Sequence, residues 1–185
     1  PLGEIALPES GSVAGTSTDP RGLAVSRDGR ELFLNFTSFL RPTTVFRYDF
    51  RSQRLEPFHA PETPFDASQY ETRPQFYTSK DGTRVPIFVT LRKGAKLDGR
   101  HPAVLFGYGG FNIAVVPSFS PAVAAWLERG GVYAVANIRG GGEYGSEWHK
   151  AGTKERKQNV FDDFIAAGEW LVRERYTTPS RLAIR

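Results

Sequence analysis

The sequence contains no cysteine. That one absence excludes disulfides, thiolate zinc sites and cysteine nucleophiles together, and it leaves the redox compartment open. No apolar run approaches the ~20 residues that would cross a bilayer, so neither a membrane span nor a membrane partner is expected. The three histidines, His59, His101 and His149, are far apart, and none has a ligand at the i+2 or i+4 spacing of a zinc helix, so no metal is expected. No serine sits in G-x-S-x-G, since Ser12 and Ser146 both lack the first glycine. Internal repeats and low-complexity segments are also missing, as are the basic and apolar regions of a signal peptide.

What is present suits a packed core. The chain has 185 residues, 39% hydrophobic and 13% aromatic. At about 150 residues per domain, that length suggests one domain or one plus part of another. Lys and Arg number 24 against 20 Asp and Glu, a net charge of +4. The two signs are interspersed, which reads as a mixed solvated surface, and no nucleic-acid partner is expected. The chain starts at Pro1 and stops at Arg185 directly after Leu182-Ala183-Ile184, and these ends are expected to be cuts in a longer chain.

The first sixty residues read as β. Leu32, Leu34 and Phe36 recur at every second position, as do Phe46, Tyr48 and Phe50 with polar residues between them. Turn signals stand at Asp19-Pro20, Asp28-Gly29 and Arg41-Pro42, the pattern of one propeller blade. A lone blade cannot bury both faces, so neighbouring blades are expected. The proline-bearing stretch 60–69 is the best domain boundary, giving expected domains 1–62 and 63–185.

Beyond it, strands are expected over 70–79 and 85–91 around the turn Lys80-Asp81-Gly82, then over 101–108. Ser120-Pro121 opens a helix that Gly130-Gly131 closes. The apolar run 132–138 reads as a buried strand, and residues 139–145 as a glycine-rich loop. Asn159 is the expected cap of a helix whose Val160, Phe161, Phe164, Ile165, Leu171 and Val172 recur at helical spacing. Residues 181–185 begin another strand. Alternating strands and helices imply an α/β domain with a parallel sheet.

Few residues suggest chemistry unaided. Gly140-Gly141-Gly142 lacks the following lysine of a phosphate cradle, so a sharp turn at a strand end is the preferred reading. Asp162 and Asp163 are helix neighbours that cannot face each other as a dyad, and a capping, solvating role near the helix N-terminus suffices for them. Trp148-His149 could be catalytic, but a partly buried structural histidine is preferred. Arg139 and Glu143 read as an ion pair or a backbone clamp, structural first, with a substrate-side role left open.

Three long motifs change the picture. They are Gly107-Tyr108-Gly109-Gly110-Phe111-Asn112; the run from Ala136 through Arg139-Gly140-Gly141-Gly142-Glu143-Tyr144-Gly145 with Trp148-His149; and Lys157-Gln158-Asn159-Val160-Phe161-Asp162-Asp163-Phe164. Together they closely resemble the prolyl oligopeptidase family of serine peptidases from Tyr70 to Arg185, and residues before about 63 resemble the last part of that family's β-propeller. The resemblance implies the N-terminal half of an α/β-hydrolase domain preceded by the last blade region of a propeller. It implies cleavage of short proline-containing peptides after proline, through an acyl-enzyme and without a cofactor. Tyr108 would stabilise the oxyanion and Phe111 would line the proline pocket. The family's catalytic serine, aspartate and histidine would lie beyond Arg185, so the fragment alone would be inactive and would partner the rest of its own chain. Phe111 favours the prolyl branch over oligopeptidase B-like or acylaminoacyl-peptidase-like hydrolases. A non-catalytic interaction module is the remaining alternative. The expected compartment is the cytoplasm, with the periplasm as the alternative.

Overall fold

The computed structural model describes residues 3–13 and 22–185, and the expected turn at Asp19-Pro20 lies outside them. The chain divides into two compact units, Pro1–Ala67 with Val116–Ala124, and Ser68–Val115 with Ala125–Arg185.

The first unit is an antiparallel sheet. Its strands are β1 (Ser12–Val13), β2 (Leu23–Val25), β3 (Glu31–Thr37), β4 (Thr44–Asp49) and β5 (Arg54–His59), in the order β1-β3-β4-β5 with β2 also paired to β3. Alternation puts Leu32, Leu34 and Phe36 on one face of β3, and register places Leu34 opposite Phe46. Leu34, Phe36 and Phe46 form the core of this unit, with the Phe36 and Phe46 rings edge-on at 6.0 Å. The Asp28-Gly29 turn forms as expected, with Gly29 N–H donating to Ser26 O. Strand β5 carries Pro57, which cannot donate to a ladder, and it is accordingly an edge strand. The segment 116–124 joins this unit through Ser12 Oγ, which donates to Pro117 O, and Phe119 N–H, which donates to Thr37 Oγ1.

The second unit holds a five-stranded sheet with strands β6 (Tyr70–Thr78), β7 (Arg84–Arg92), β8 (Ala103–Gly107), β9 (Val132–Ala136) and β10 (Leu182–Ile184). Its order is β10-β8-β9-β7-β6. The expected parallel sheet is half right. Strand β8 runs parallel to β9 and to β10, but β7 is antiparallel to both β6 and β9. The tight turn at residues 79–83 forces the first hairpin to be antiparallel, and helical crossovers produce the parallel pairs. Helix α1 (Pro121–Glu128) lies between β8 and β9, and α3 (Gln158–Arg173) between β9 and β10. A short α2 (Ser146–Lys150) sits in what reads from sequence as loop.

Strand β9 is apolar because both its faces are covered. Val132, Ala134, Val135 and Ala136 are all buried, alongside Val85, Ile87 and Val89 of β7 and Leu105 of β8. Helix α3 buries the stripe Val160, Asp163, Ala167, Trp170 and Leu171, spaced three and four residues apart. Its start differs from expectation. Lys157, not Asn159, is the N-cap residue, and Asn159 lies inside the first turn, its Nδ2 donating to Ala151 O.

Candidate active-site loops

Tyr108 follows the last residue of β8, at the carboxyl end of the parallel strands, where open α/β sheets place their ligands. Its side chain is 46% exposed, and Phe111, three residues on, is 83% exposed. The two rings stack, with centroids 6.5 Å apart and planes at 29°.

The loop carrying them is fixed from below. Gly109 is left-handed (φ +58°), and a Cβ there would lie 2.6 Å from Ile138 Cγ1, 2.7 Å from Val160 Cγ1 and 2.8 Å from the Arg139 carbonyl oxygen. Gly140 is also left-handed (φ +91°), and a Cβ on it would meet Gly109 O at 2.5 Å. Only glycine at both positions lets the two backbones touch. Lys157 Nζ donates to Gly109 O at 3.2 Å, and Asn112 N–H donates to Gly140 O at 3.2 Å.

Arg139, 4% exposed, anchors the second loop. Its Nε and Nη2 donate to the two carboxylate oxygens of Asp163, at 2.9 and 2.6 Å, and its backbone N–H donates to Asp163 Oδ2 at 3.0 Å. The other edge of the guanidinium reaches Asp81, Nη1 at 2.5 Å and Nη2 at 3.2 Å. Hydrogen bonds to Asp163 push the Arg139 pKa up, and the Arg139 hydrogen bond pulls the Asp81 carboxyl down to about 2. Tyr77 hydroxyl donates to the Asp163 backbone carbonyl at 2.8 Å, and burial raises its pKa.

Two expectations are corrected here. Arg139 does not pair with Glu143, because its guanidinium is fully occupied by Asp163 and Asp81. Glu143 instead clamps backbone, its Oε1 accepting from Val115 N–H at 2.9 Å and from Asn137 Nδ2 at 3.1 Å. Its Oε2 is buried and has no hydrogen-bond partner among the described residues. Asp163 is no solvating residue but is fully buried beneath Arg139. Its place on the stripe Val160, Asp163, Ala167 was the signal for this. Asp81 was read only as a turn residue, and nothing local in the sequence points it at Arg139.

Of the histidines, His149 is partly buried on α2 with Nδ1 2.7 Å from Gly140 O, and the ring of His101 lies between the carbonyls of Lys96 and Gly130. Among the described residues no cluster of three His, Cys, Asp or Glu could hold a metal ion, and no helix is long and apolar enough to cross a membrane.

A mixed sheet with an exposed tyrosine after the carboxyl end of an inner strand, preceded in the chain by a propeller-type sheet, is the architecture of part of an α/β-hydrolase with an N-terminal propeller. Sequence profiles make that specific. The prolyl oligopeptidase family matches residues 117–185, and the prolyl oligopeptidase N-terminal β-propeller domain matches residues 1–61. The chain belongs to the prolyl oligopeptidase family. It is 45% identical over 181 residues to a prolyl endopeptidase of Elizabethkingia miricola, covering 98% of this chain and 25% of that protein. A solved prolyl endopeptidase superposes with a TM-score of 0.86 at 44% identity, covering 100% of this chain and 26% of that one. Prolyl oligopeptidase B of Galerina marginata, solved with a 35-residue hydrolysis and macrocyclisation substrate bound, gives a TM-score of 0.79 at 40% identity, over 88% of this chain and 24% of that one. The chain thus spans about a quarter of the length of the relatives it matches.

Proposed function

We propose that these residues form part of an enzyme that hydrolyses short peptides on the carboxyl side of proline. The carrying observation is the exposed Tyr108–Phe111 pair, placed at the carboxyl end of β8 by a loop whose Gly109 packs against Ile138, Val160 and the Arg139 carbonyl. Family membership supports the same reading.

The chemistry follows from these side chains. A serine hydroxyl supplied by another part of the full-length protein attacks the prolyl carbonyl while a histidine takes its proton. The carbonyl oxygen becomes an oxyanion, and the Tyr108 hydroxyl donates a hydrogen bond to it. A neutral phenol suits this task, because it is a donor at neutral pH and carries no charge that would bind the ground state. Collapse expels the amine, which receives the proton from the histidine, and water then hydrolyses the acyl-enzyme. The flat ring of Phe111 lies against the pyrrolidine of the substrate proline, which selects for that residue by contact area.

The test is a panel of peptide reporters carrying proline, arginine or an acylated amino acid before the scissile bond, presented to the full-length protein. Proline reporters are expected to dominate in kcat/KM. A preference for arginine or for acylated termini would contradict the reading.

A further inference from the structure

Phe111 (φ +52°) and Asn112 (φ +57°) are both left-handed. Non-glycine residues avoid that region because Cβ crowds the neighbouring backbone, and a bulky phenylalanine there is an outlier. Two in succession persist only where their surroundings over-determine them, a pattern that concentrates at functional sites.

The determinants can be named. Ile113 N–H closes the turn onto Gly110 O at 3.0 Å, and Asn112 N–H donates to Gly140 O at 3.2 Å. Gly140 O receives a second, shorter approach from His149 Nδ1, at 2.7 Å. A carbonyl oxygen can only accept, so in the tautomer with its hydrogen on Nδ1 the His149 ring donates to Gly140 O. Asn112 N–H also points at the same Nδ1, 3.1 Å away, so the Asn112 amide is shared between the ring nitrogen and the Gly140 carbonyl. The imidazole is aimed by reciprocal bonds, for Gly140 N–H donates to Trp148 O at 3.0 Å and His149 N–H to Gly145 O at 3.2 Å. One carbonyl thus joins the histidine of α2 to the turn that presents Phe111.

We propose that His149 is a positioning residue for proline selectivity: by fixing the Gly140 carbonyl it holds the left-handed Phe111–Asn112 turn, and with it the angle of the Phe111 ring. This rests on the reading of Phe111 as a wall of the proline pocket. His149 touches neither substrate nor nucleophile in this role. Its loss lets the turn relax, and a tilted Phe111 ring loses contact with a pyrrolidine. An alanine side chain has less to lose, so the proline-to-alanine ratio of kcat/KM moves more than the chemical step.

The experiment uses the full-length enzyme and matched proline and alanine peptide reporters, with melting temperatures recorded throughout. The variants are Phe111→Ala, His149→Ala, His149→Asn, His149→Gln and the double Phe111→Ala/His149→Ala. Asparagine places an N–H near the Nδ1 position, whereas glutamine places one near Nε2. His149→Ala is expected to lower the proline-to-alanine ratio on the order of tenfold, the size of a lost apolar pocket contact. His149→Asn should retain the ratio and His149→Gln should lose it. In the Phe111→Ala background His149→Ala should remove nothing further, because both act through one ring. If His149→Ala does not fold, the asparagine and glutamine variants decide, and equal ratios for the two overturn the proposal. An unchanged ratio in folded His149→Ala, beside a collapsed ratio in Phe111→Ala, overturns the proposal and leaves Phe111 in the pocket. An unchanged ratio in Phe111→Ala removes Phe111 from the pocket, and the proposal falls with it.

Discussion

Arg139 holds two carboxylates of unequal worth. Asp163 has no exposure, whereas the Asp81 side chain is 46% exposed. Replacing Arg139 by methionine strands a buried, uncompensated Asp163, a change that costs about 3–5 kcal/mol in comparable sites. Asp81→Asn should cost at most about 1 kcal/mol, because solvent screens an exposed pair. Acid should separate the two residues further. The folded-state pKa of Asp81 is about 2, below its ordinary 3.8, so the stabilisation from its pair is complete above pH 4. It fades as the pH falls from about 4 towards 2. Acid unfolding followed by circular dichroism should show a shallower loss over that window in Asp81→Asn than in the parent. Identical acid limbs would contradict the pairing, as would an Arg139→Met variant as stable as the parent.

Among the elements, the two glycine-dependent loops matter most. Gly109→Ala would put a methyl group against Ile138, Val160 and a backbone carbonyl, in a left-handed conformation alanine resists. The loop must shift, and Tyr108 and Phe111 shift with it. A displacement of about 1 Å can cost on the order of 100-fold in rate, so Gly109→Ala should lose far more kcat/KM than stability. Parent-like kinetics would show that this loop does not set the site. The sequence displays some of these elements plainly and hides others. Strand β9, helix α3 and the β6–β7 hairpin were legible because an apolar run, a 3.6-residue period and a Lys80-Asp81-Gly82 turn are local signals. Helix α2 was not, since five residues contain too little periodicity to stand out from a glycine-rich loop. Strand β5 was masked by Pro57, and β1 and β2 are only two and three residues long. Tyr108 and Phe111 are singled out by motif resemblance, and composition alone would leave them as packing residues. The partners of Arg139 escaped because Asp81 and Asp163 lie 58 and 24 residues away, and only the sheet brings them together.

For the whole molecule, the proposed account divides labour between this stretch and the remainder of a longer chain, as in relatives about four times its length. In the proposed reading this stretch would supply an oxyanion donor, a proline contact and the loops that aim them, and the nucleophile would come from elsewhere. An active-site serine reagent should therefore label the full-length enzyme outside residues 1–185, as mapped by peptide mass spectrometry. Labelling of Ser146 or another serine within them would refute that division. The central claim is that Tyr108 stabilises charge on a carbonyl attacked by that distant serine. Steady-state kinetics of full-length Tyr108→Phe, with thermal melting as a control, tests it most directly. The account predicts that kcat and kcat/KM fall together by about 10²–10³-fold on amide substrates. Activated esters should lose less, and the melting temperature should barely move. An unchanged kcat in a folded variant would make Tyr108 a packing residue and contradict the account.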